Sequence, residues 1–284
     1  MRIALDAMGT DRHPSVEVEG AVQALRETGD DLRVVLVGDQ TAIRRELARL
    51  GEAESERLGI VHAADRIAPG EPAVTAVRRK PGSSIVVGLH LQKEGQADAF
   101  VSAGSTGAVM AASLFILRPV PGVDRPAIAT ILPTAIGPTV MVDAGANVDC
   151  KPAHLVQFAR LGVVYAHDVL GKAKPRVGLL NIGEEPEKGN ELSVETHRLL
   201  VESDVNFIGN VEGRDIIKGA CDVLVTDGFV GNVLLKFYES VAGFVFGLLR
   251  REMADEQLEA KMGKVTRILD YAEYGGAPLL GVNG

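Results

Sequence analysis

The chain has no tryptophan, only 4% aromatic residues and two cysteines among 284 residues. Few rings means no platform on which bases can stack. The formal net charge of -8 likewise removes the basic face that a phosphate backbone requires, so no nucleic-acid partner is expected. Two isolated thiols, Cys150 and Cys221, make neither a disulfide scaffold nor a thiolate metal site, which fits a reducing cytoplasm. The histidines at 13, 62, 90, 154, 167 and 197 lack metal-ligand spacing. Neither GxGxxG nor a P-loop is present. No metal is expected, and dehydrogenase chemistry is disfavoured. The opening "MRIALDAMG" turns acidic at Asp6 and lacks the apolar core of a signal peptide. The most apolar long window, Phe229–Leu249, is interrupted by Asn232, Lys236 and Glu239, so no membrane span is read.

What is present is an ordinary α/β texture, with 46% hydrophobic residues, 24% charged residues and 32 glycines for tight turns. Apolar runs of strand length occur at 2–6, 33–37, 59–62, 98–102, 127–132, 139–143, 176–181, 205–208 and 222–226. Amphipathic stretches such as Pro14–Glu27 and Gln40–Leu50 lie between them. This alternation predicts helices on both faces of an open sheet. The runs at 127–132 and 139–143 are joined by too few residues for a helical crossover, so they are expected to pair antiparallel in a mixed, mostly parallel sheet. A single α/β domain over 1–284 is expected, with a helical arm at about 229–270. In that arm Leu258, Met262, Val265 and Leu269 are spaced for one helical face. Such a stripe suits a partner subunit or a lipid surface.

In open α/β sheets ligands bind beyond the carboxyl ends of the strands. The exits here read "DAMGTD", "AGSTGA", "AGANVD", "IGEEPEKGNE" and "DGFVGN", and five such loops can converge on one cleft. In "SAGSTGA" the glycines permit close backbone approach, and the amides of a helix start favour an anion; a plain N-cap at Ser105 is the alternative. In "NIGEEPEKGNE", Lys188 can neutralise a phosphate or an oxyanion, against a solvated acidic loop with Asn190 as N-cap. Asn232 can donate to a carbonyl or phosphate oxygen, or satisfy its own backbone. Cys150 can in principle accept an acyl group, but no histidine adjoins it and packing is the commoner use. A basic run, "VRRKPGSS", offers Arg78, Arg79 and Lys80 either as a solvated helix face or as a dock for an acidic partner.

In order, "MRIALDAMGTD", "VRRKPGSS", "SAGSTGAVMA", "GVDRPAIAT", "DAGANVDCKPAHLVQFA", "NIGEEPEKGNEL", "DVLVTDGFVGNVLLK" and "DYAEYGGAPLLG" resemble the bacterial phosphate acyltransferases of phospholipid synthesis. The match runs along essentially the whole chain. The resemblance implies a three-layer α/β/α fold, like those of isocitrate and isopropylmalate dehydrogenases and phosphotransacetylase. It implies reversible transfer of a fatty acyl group from acyl carrier protein to inorganic phosphate, giving acyl phosphate, without a metal or cofactor. It also implies a homodimer, cytoplasmic but peripherally associated with an anionic membrane surface, that passes product to a membrane glycerol-3-phosphate acyltransferase. A coenzyme-A-dependent phosphate acyltransferase and a non-catalytic acyl-binding or scaffold protein are the alternatives. Thr10 and Ser105 stand where the family usually has Gly and Asn, and the chain stops at "GVNG", where members usually continue.

A thioester is already activated, so phosphate can attack it without a protein nucleophile. Lys188 and Asn232 are the expected catalytic pair. Ser105, Thr106 and Gly107 are expected to hold phosphate, with Asp6, Gly9, Gly104, Asp143, Asn147, Asn181 and Asp227 as further substrate-binding positions. Arg78, Arg79 and Lys80 are expected to meet the carrier protein.

Overall fold

The computed structural model describes residues 1–252 and 276–284. The expected arm positions Leu258, Met262, Val265 and Leu269 lie outside the described residues. The chain divides into two compact units, Met1–Gly122 with Val282–Gly284, and Val123–Gly281.

The first unit runs β1 (Arg2–Asp6), α1 (Ser15–Glu27), β2 (Arg33–Gly38), α2 (Gln40–Arg49), β3 (Leu58–His62), α3 (Ala73–Arg79), α4 (Ser84–Lys93), β4 (Ala99–Val101) and α5 (Thr106–Ile116). Its four strands are all parallel, in the order β3-β2-β1-β4. Side chains alternate across a strand, so each face of the sheet needs its own cover. Val34 and Leu36 pack against Val18, Val22, Ile43 and Leu47 of α1 and α2. Ala4 and Val37 meet Val87 and Leu91 of α4 on the opposite face. Gly88 of α4 is required there, because a Cβ would overlap the ring of Phe100.

The second unit runs β5 (Ala127–Thr134), β6 (Gly137–Val142), α6 (Pro152–Asp168), β7 (Val177–Asn181), α7 (Glu191–Val201), β8 (Phe207–Glu212), α8 (Gly213–Ile216), β9 (Val223–Val225), α9 (Gly228–Glu252) and β10 (Leu279–Leu280). The order is β10-β5-β6-β9-β7-β8. As expected, β5 and β6 pair antiparallel, as do β10 and β5, while the remaining ladders are parallel. The α/β class and the mixed, mostly parallel pairing are as anticipated, with the strands shared between two sheets. Alternation is again strict. Val140, Val142, Val223 and Val225 face Leu155, Phe158 and Ala159 of α6, whereas Met141 and Leu224 face Ile216 of α8 and Leu234, Leu235 and Tyr238 of α9. Phe158 is fully buried, so its loss to alanine would cost about 3–5 kcal/mol.

Strand boundaries shift by up to two residues elsewhere and furthest at β8. The run expected as a strand at 205–208 is found as β8 at Phe207–Glu212, because apolar periodicity stops at Gly209, which sits inside the strand at φ +106. It coincides with a register shift against β7, the usual place for glycine in a strand interior. Gly228–Leu249 of α9 is long and apolar enough to cross a membrane by length and composition, with mean hydropathy 1.3. α9 packs Leu234, Leu235 and Tyr238 on its own sheet while exposing Phe229, Val233, Phe237 and Phe244.

Candidate functional site

In parallel ladders neighbouring strands end side by side, so the loops that leave them cluster at one sheet edge. In the first unit the loops after β1 and β4 touch. Ser102 donates its hydroxyl to Asp6 Oδ2 at 2.6 Å and accepts the Gly104 N–H at 3.0 Å. Asp6 Oδ1 accepts the Met8 N–H at 3.0 Å, and the carboxylate is 1% exposed. Both oxygens of Asp6 therefore tie the two loops together. Gly9 has no room for a side chain, since a Cβ there would stand 2.7 Å from Gly104 N. Ser105 is the N-cap of α5, its hydroxyl accepting the Ala108 N–H at 3.4 Å.

Backbone groups must find partners somewhere, and this loop pair leaves several amides over. Among the described residues, no hydrogen bond takes the N–H groups of Gly9, Ser105, Thr106 or Gly107. Three of these belong to the start of α5, where the helix dipole adds partial positive charge. The amides of Ser105, Thr106 and Gly107, adjoined by Gly9, are thus a donor cluster suited to an anion. Thr106 and Gly107 are exposed.

In the second unit the loop after β6 is built around Asp143, which is fully buried. Its Oδ1 accepts the N–H groups of Ile128, Gly145 and Ala146 at 3.0, 3.2 and 3.0 Å. Its Oδ2 accepts Asn147 N–H and Nδ2 at 2.7 and 2.9 Å. Asn147 also donates to the Pro126 carbonyl at 2.8 Å. Asp143 and Asn147 are accordingly committed to the loop itself. The start of α9 is pressed onto them: Gly228 donates to Asn147 O at 2.7 Å, and a Cβ on Gly231 would overlap the Asp143 carbonyl oxygen. Asp227 caps α9 by accepting the Val230 N–H at 2.9 Å. One turn on, Asn232 lies against Gly145, and among the described residues its amide has no hydrogen-bond partner.

The loop after β7, on the strand next to β9, is held by Asn181, which donates to the Lys188 carbonyl at 2.9 Å and accepts the Ile182 N–H at 2.8 Å. Gly189 sits at φ +95 directly over the Asn181 oxygen. Asn190 caps α7 through the Ser193 N–H at 2.9 Å. Lys188 is exposed, and its ammonium has no partner among the described residues.

Cys150 is half-buried, and burial first, then the charges of Asp143 and Asp227, push its thiol up to about 11; it is not a thiolate at neutral pH. Among the described residues no group of His, Cys, Asp and Glu is arranged to hold a metal. In the basic run, Arg78 lies over the Phe115 ring at 5.1 Å and Arg79 is exposed. Lys80 is instead half-buried, donating to Glu71 Oε1 at 2.7 Å and to the Arg66 carbonyl at 2.9 Å. Sequence reading missed Ser102, Glu17 and Arg66. The signal for Arg66 was its place in the exit loop of β3, "AADRIAPG", an exit that carries fewer of the small polar residues that mark the others.

The fold is shared with phosphotransacylases. The phosphotransacetylase of Streptococcus pyogenes superposes with a TM-score of 0.61 at 19% identity, covering 85% of this chain and 82% of that one. A branched-chain phosphotransacylase from Enterococcus faecalis gives 0.59 at 16% identity, covering 83% of each. In sequence, the phosphate acyltransferase of Desulforamulus reducens is 52% identical over 291 residues, spanning 100% of this chain and 86% of that protein. That of Salinibacter ruber is 52% identical over 292 residues with the same coverage. The family described as "Fatty acid synthesis protein" matches residues 1–284. The chain belongs to this family, that of the phosphate acyltransferases, which are acyltransferase enzymes.

Proposed function

We propose that the chain transfers a fatty acyl group from acyl carrier protein to inorganic phosphate, giving acyl phosphate for phospholipid synthesis. The observation that carries this reading is the set of uncommitted amides at Gly9, Ser105, Thr106 and Gly107, in a chain whose relatives are named phosphate acyltransferase. Preorganised amides of this kind hold a dianion without reorganising at the moment of reaction. A phosphate oxygen attacks the thioester carbon, the new C–O bond forms, the C–S bond breaks, and the carrier leaves as thiolate. Lys188 and Asn232, whose polar heads are uncommitted, supply a cation and an amide donor for the carbonyl oxygen as it gains charge. No protein nucleophile is required, in agreement with the protonated Cys150.

Arg78 and Arg79 are the groups offered to the acidic carrier, whereas Lys80 is engaged by Glu71 and the Arg66 carbonyl. The exposed apolar side of α9 suits a homodimer, and the 255–270 stripe suits a second copy or an anionic membrane surface, from which product would reach a membrane glycerol-3-phosphate acyltransferase. Vesicle flotation and sedimentation of a Leu258→Glu variant separate those two uses. The deciding assay mixes the chain with long-chain acyl carrier protein and phosphate and looks for acyl phosphate. Product from acyl-coenzyme A alone would move the reading to the coenzyme-A-dependent class, and none from either donor would refute it.

A further inference from the structure

The loop after β1 is gripped by two side chains of opposite charge. Arg66, from the loop after β3, donates from Nε to the Met8 carbonyl at 2.8 Å and from Nη2 to the Thr10 carbonyl at 3.1 Å. Glu17, in the first turn of α1 and 5% exposed, accepts the Thr10 N–H on Oε1 at 2.6 Å. A trans peptide is planar, so its C=O and N–H point in opposite directions. Holding the Met8 oxygen therefore turns the Gly9 N–H away from Arg66. Holding the Thr10 N–H turns the Gly9 carbonyl away from Glu17. Both peptide units that flank Gly9 are pinned, one by its oxygen and the other by its hydrogen.

The amide so oriented is left unused while its neighbours are engaged. Met8 N–H is spent on Asp6 and Thr10 N–H on Glu17, whereas the Gly9 N–H has no partner among the described residues. Gly9 lies against Gly104, at the foot of the free amides of 105–107. Arg66 is itself braced, its carbonyl held by Lys80 at 2.9 Å. The grip has a cost, because Glu17 Oε2 is buried without a partner, which an ordinary surface turn has no reason to bear.

We propose that Arg66 and Glu17 are positioning residues for phosphate, fixing the two peptides of Gly9 so that its N–H joins those of Ser105, Thr106 and Gly107 on the anion. This rests on the reading that phosphate binds the loops of the first unit. Arg66→Met should raise the KM for phosphate roughly tenfold, the scale of losing charge-assisted hydrogen bonds, with kcat within about twofold and the KM for the acyl donor unchanged. Arg66→Lys, able to reach only one carbonyl, should fall between. Glu17→Gln, which keeps an oxygen for the Thr10 N–H, should rescue most of what Glu17→Ala loses. The wild-type chain labelled with 15N-glycine and titrated with phosphate provides a readout free of folding effects: the Gly9 amide should shift together with that of Gly107. An Arg66→Met variant with native melting temperature and unchanged phosphate KM overturns the inference. So does a Gly9 amide that stays still while Gly107 moves, which leaves phosphate binding intact. If neither amide moves and no acyl phosphate forms, the phosphate reading falls and this inference with it.

Discussion

Replacing Asp143 by asparagine preserves the shape of the side chain and removes one acceptor from the most heavily bonded carboxylate described. The wild-type oxygens receive five N–H donors, three on Oδ1 and two on Oδ2. In its best orientation the asparagine oxygen keeps the three from Ile128, Gly145 and Ala146, and its NH2 then faces Asn147 N and Nδ2, which stood 2.7 and 2.9 Å from Oδ2. Donor faces donor in a fully buried position, so two hydrogen bonds to a charged acceptor are lost. At about 1.5–3 kcal/mol each the substitution costs roughly 3–6 kcal/mol, a large share of a total stability of about 5–15 kcal/mol. For a chain of this size that lowers Tm by at least roughly 6 °C. With no tryptophan in the chain, calorimetry and far-ultraviolet circular dichroism are the appropriate probes. A loss below about 1 kcal/mol would refute the reasoning, and a stable but inactive variant would return Asp143 to the substrate.

Three further outcomes follow from the geometry. Lys188→Ala should lose about 2–4 kcal/mol of transition-state stabilisation, judged from single oxyanion donors, or roughly 30- to 1,000-fold in kcat/KM; unchanged turnover removes Lys188 from the mechanism. With its thiol near 11, Cys150 should be thiolate in only roughly one molecule in a thousand at pH 8. Mass spectrometry of the folded protein after iodoacetamide should find it unmodified, and Cys150→Ser should retain turnover. Burial works against ionising Asp222, but the Arg176 N–H and guanidinium and the Lys172 ammonium outweigh it, holding the carboxyl below its ordinary value of 3.8. Its folded value is depressed, so its stabilising contribution is complete above 3.8 and disappears as the pH falls through the lower folded value. Asp222→Asn should therefore destabilise at pH 7, with an effect that shrinks as the pH is taken progressively below the ordinary value of 3.8, which denaturation over a descending pH series measures.

The element pattern was legible because it rests on local periodicity. Alternating Val140, Met141 and Val142 announces a strand covered on both faces, and the short link to 127–132 dictates an antiparallel pair. The run at 205–208 was cut short for the same local reason: apolar periodicity stops at Gly209, and only pairing with β7 carries the strand on to Glu212 across a register shift. Site residues were legible as residue types at strand exits, but their assignments were not. Asp143 and Asn147 have the composition of ligands. Folding spends the Asp143 carboxylate and the Asn147 amide N–H groups on Ile128, Pro126 and the loop itself. Lys80 reads as surface charge within a basic run, yet Glu71 and the Arg66 carbonyl claim it. Arg66 escaped notice because its work depends on a carbonyl 58 residues away in sequence.

By itself the sequence determined the α/β class, the capping roles open to Ser105 and Asn190, and the family, since each is written in short-range pattern or in ordered motifs. Only the tertiary structure decided which polar groups remain uncommitted. A hydrogen bond is exclusive and its partner is chosen by the packing of distant segments, so the Gly9 amide and the head of Asn232 stand free among the described residues for reasons that no local stretch contains.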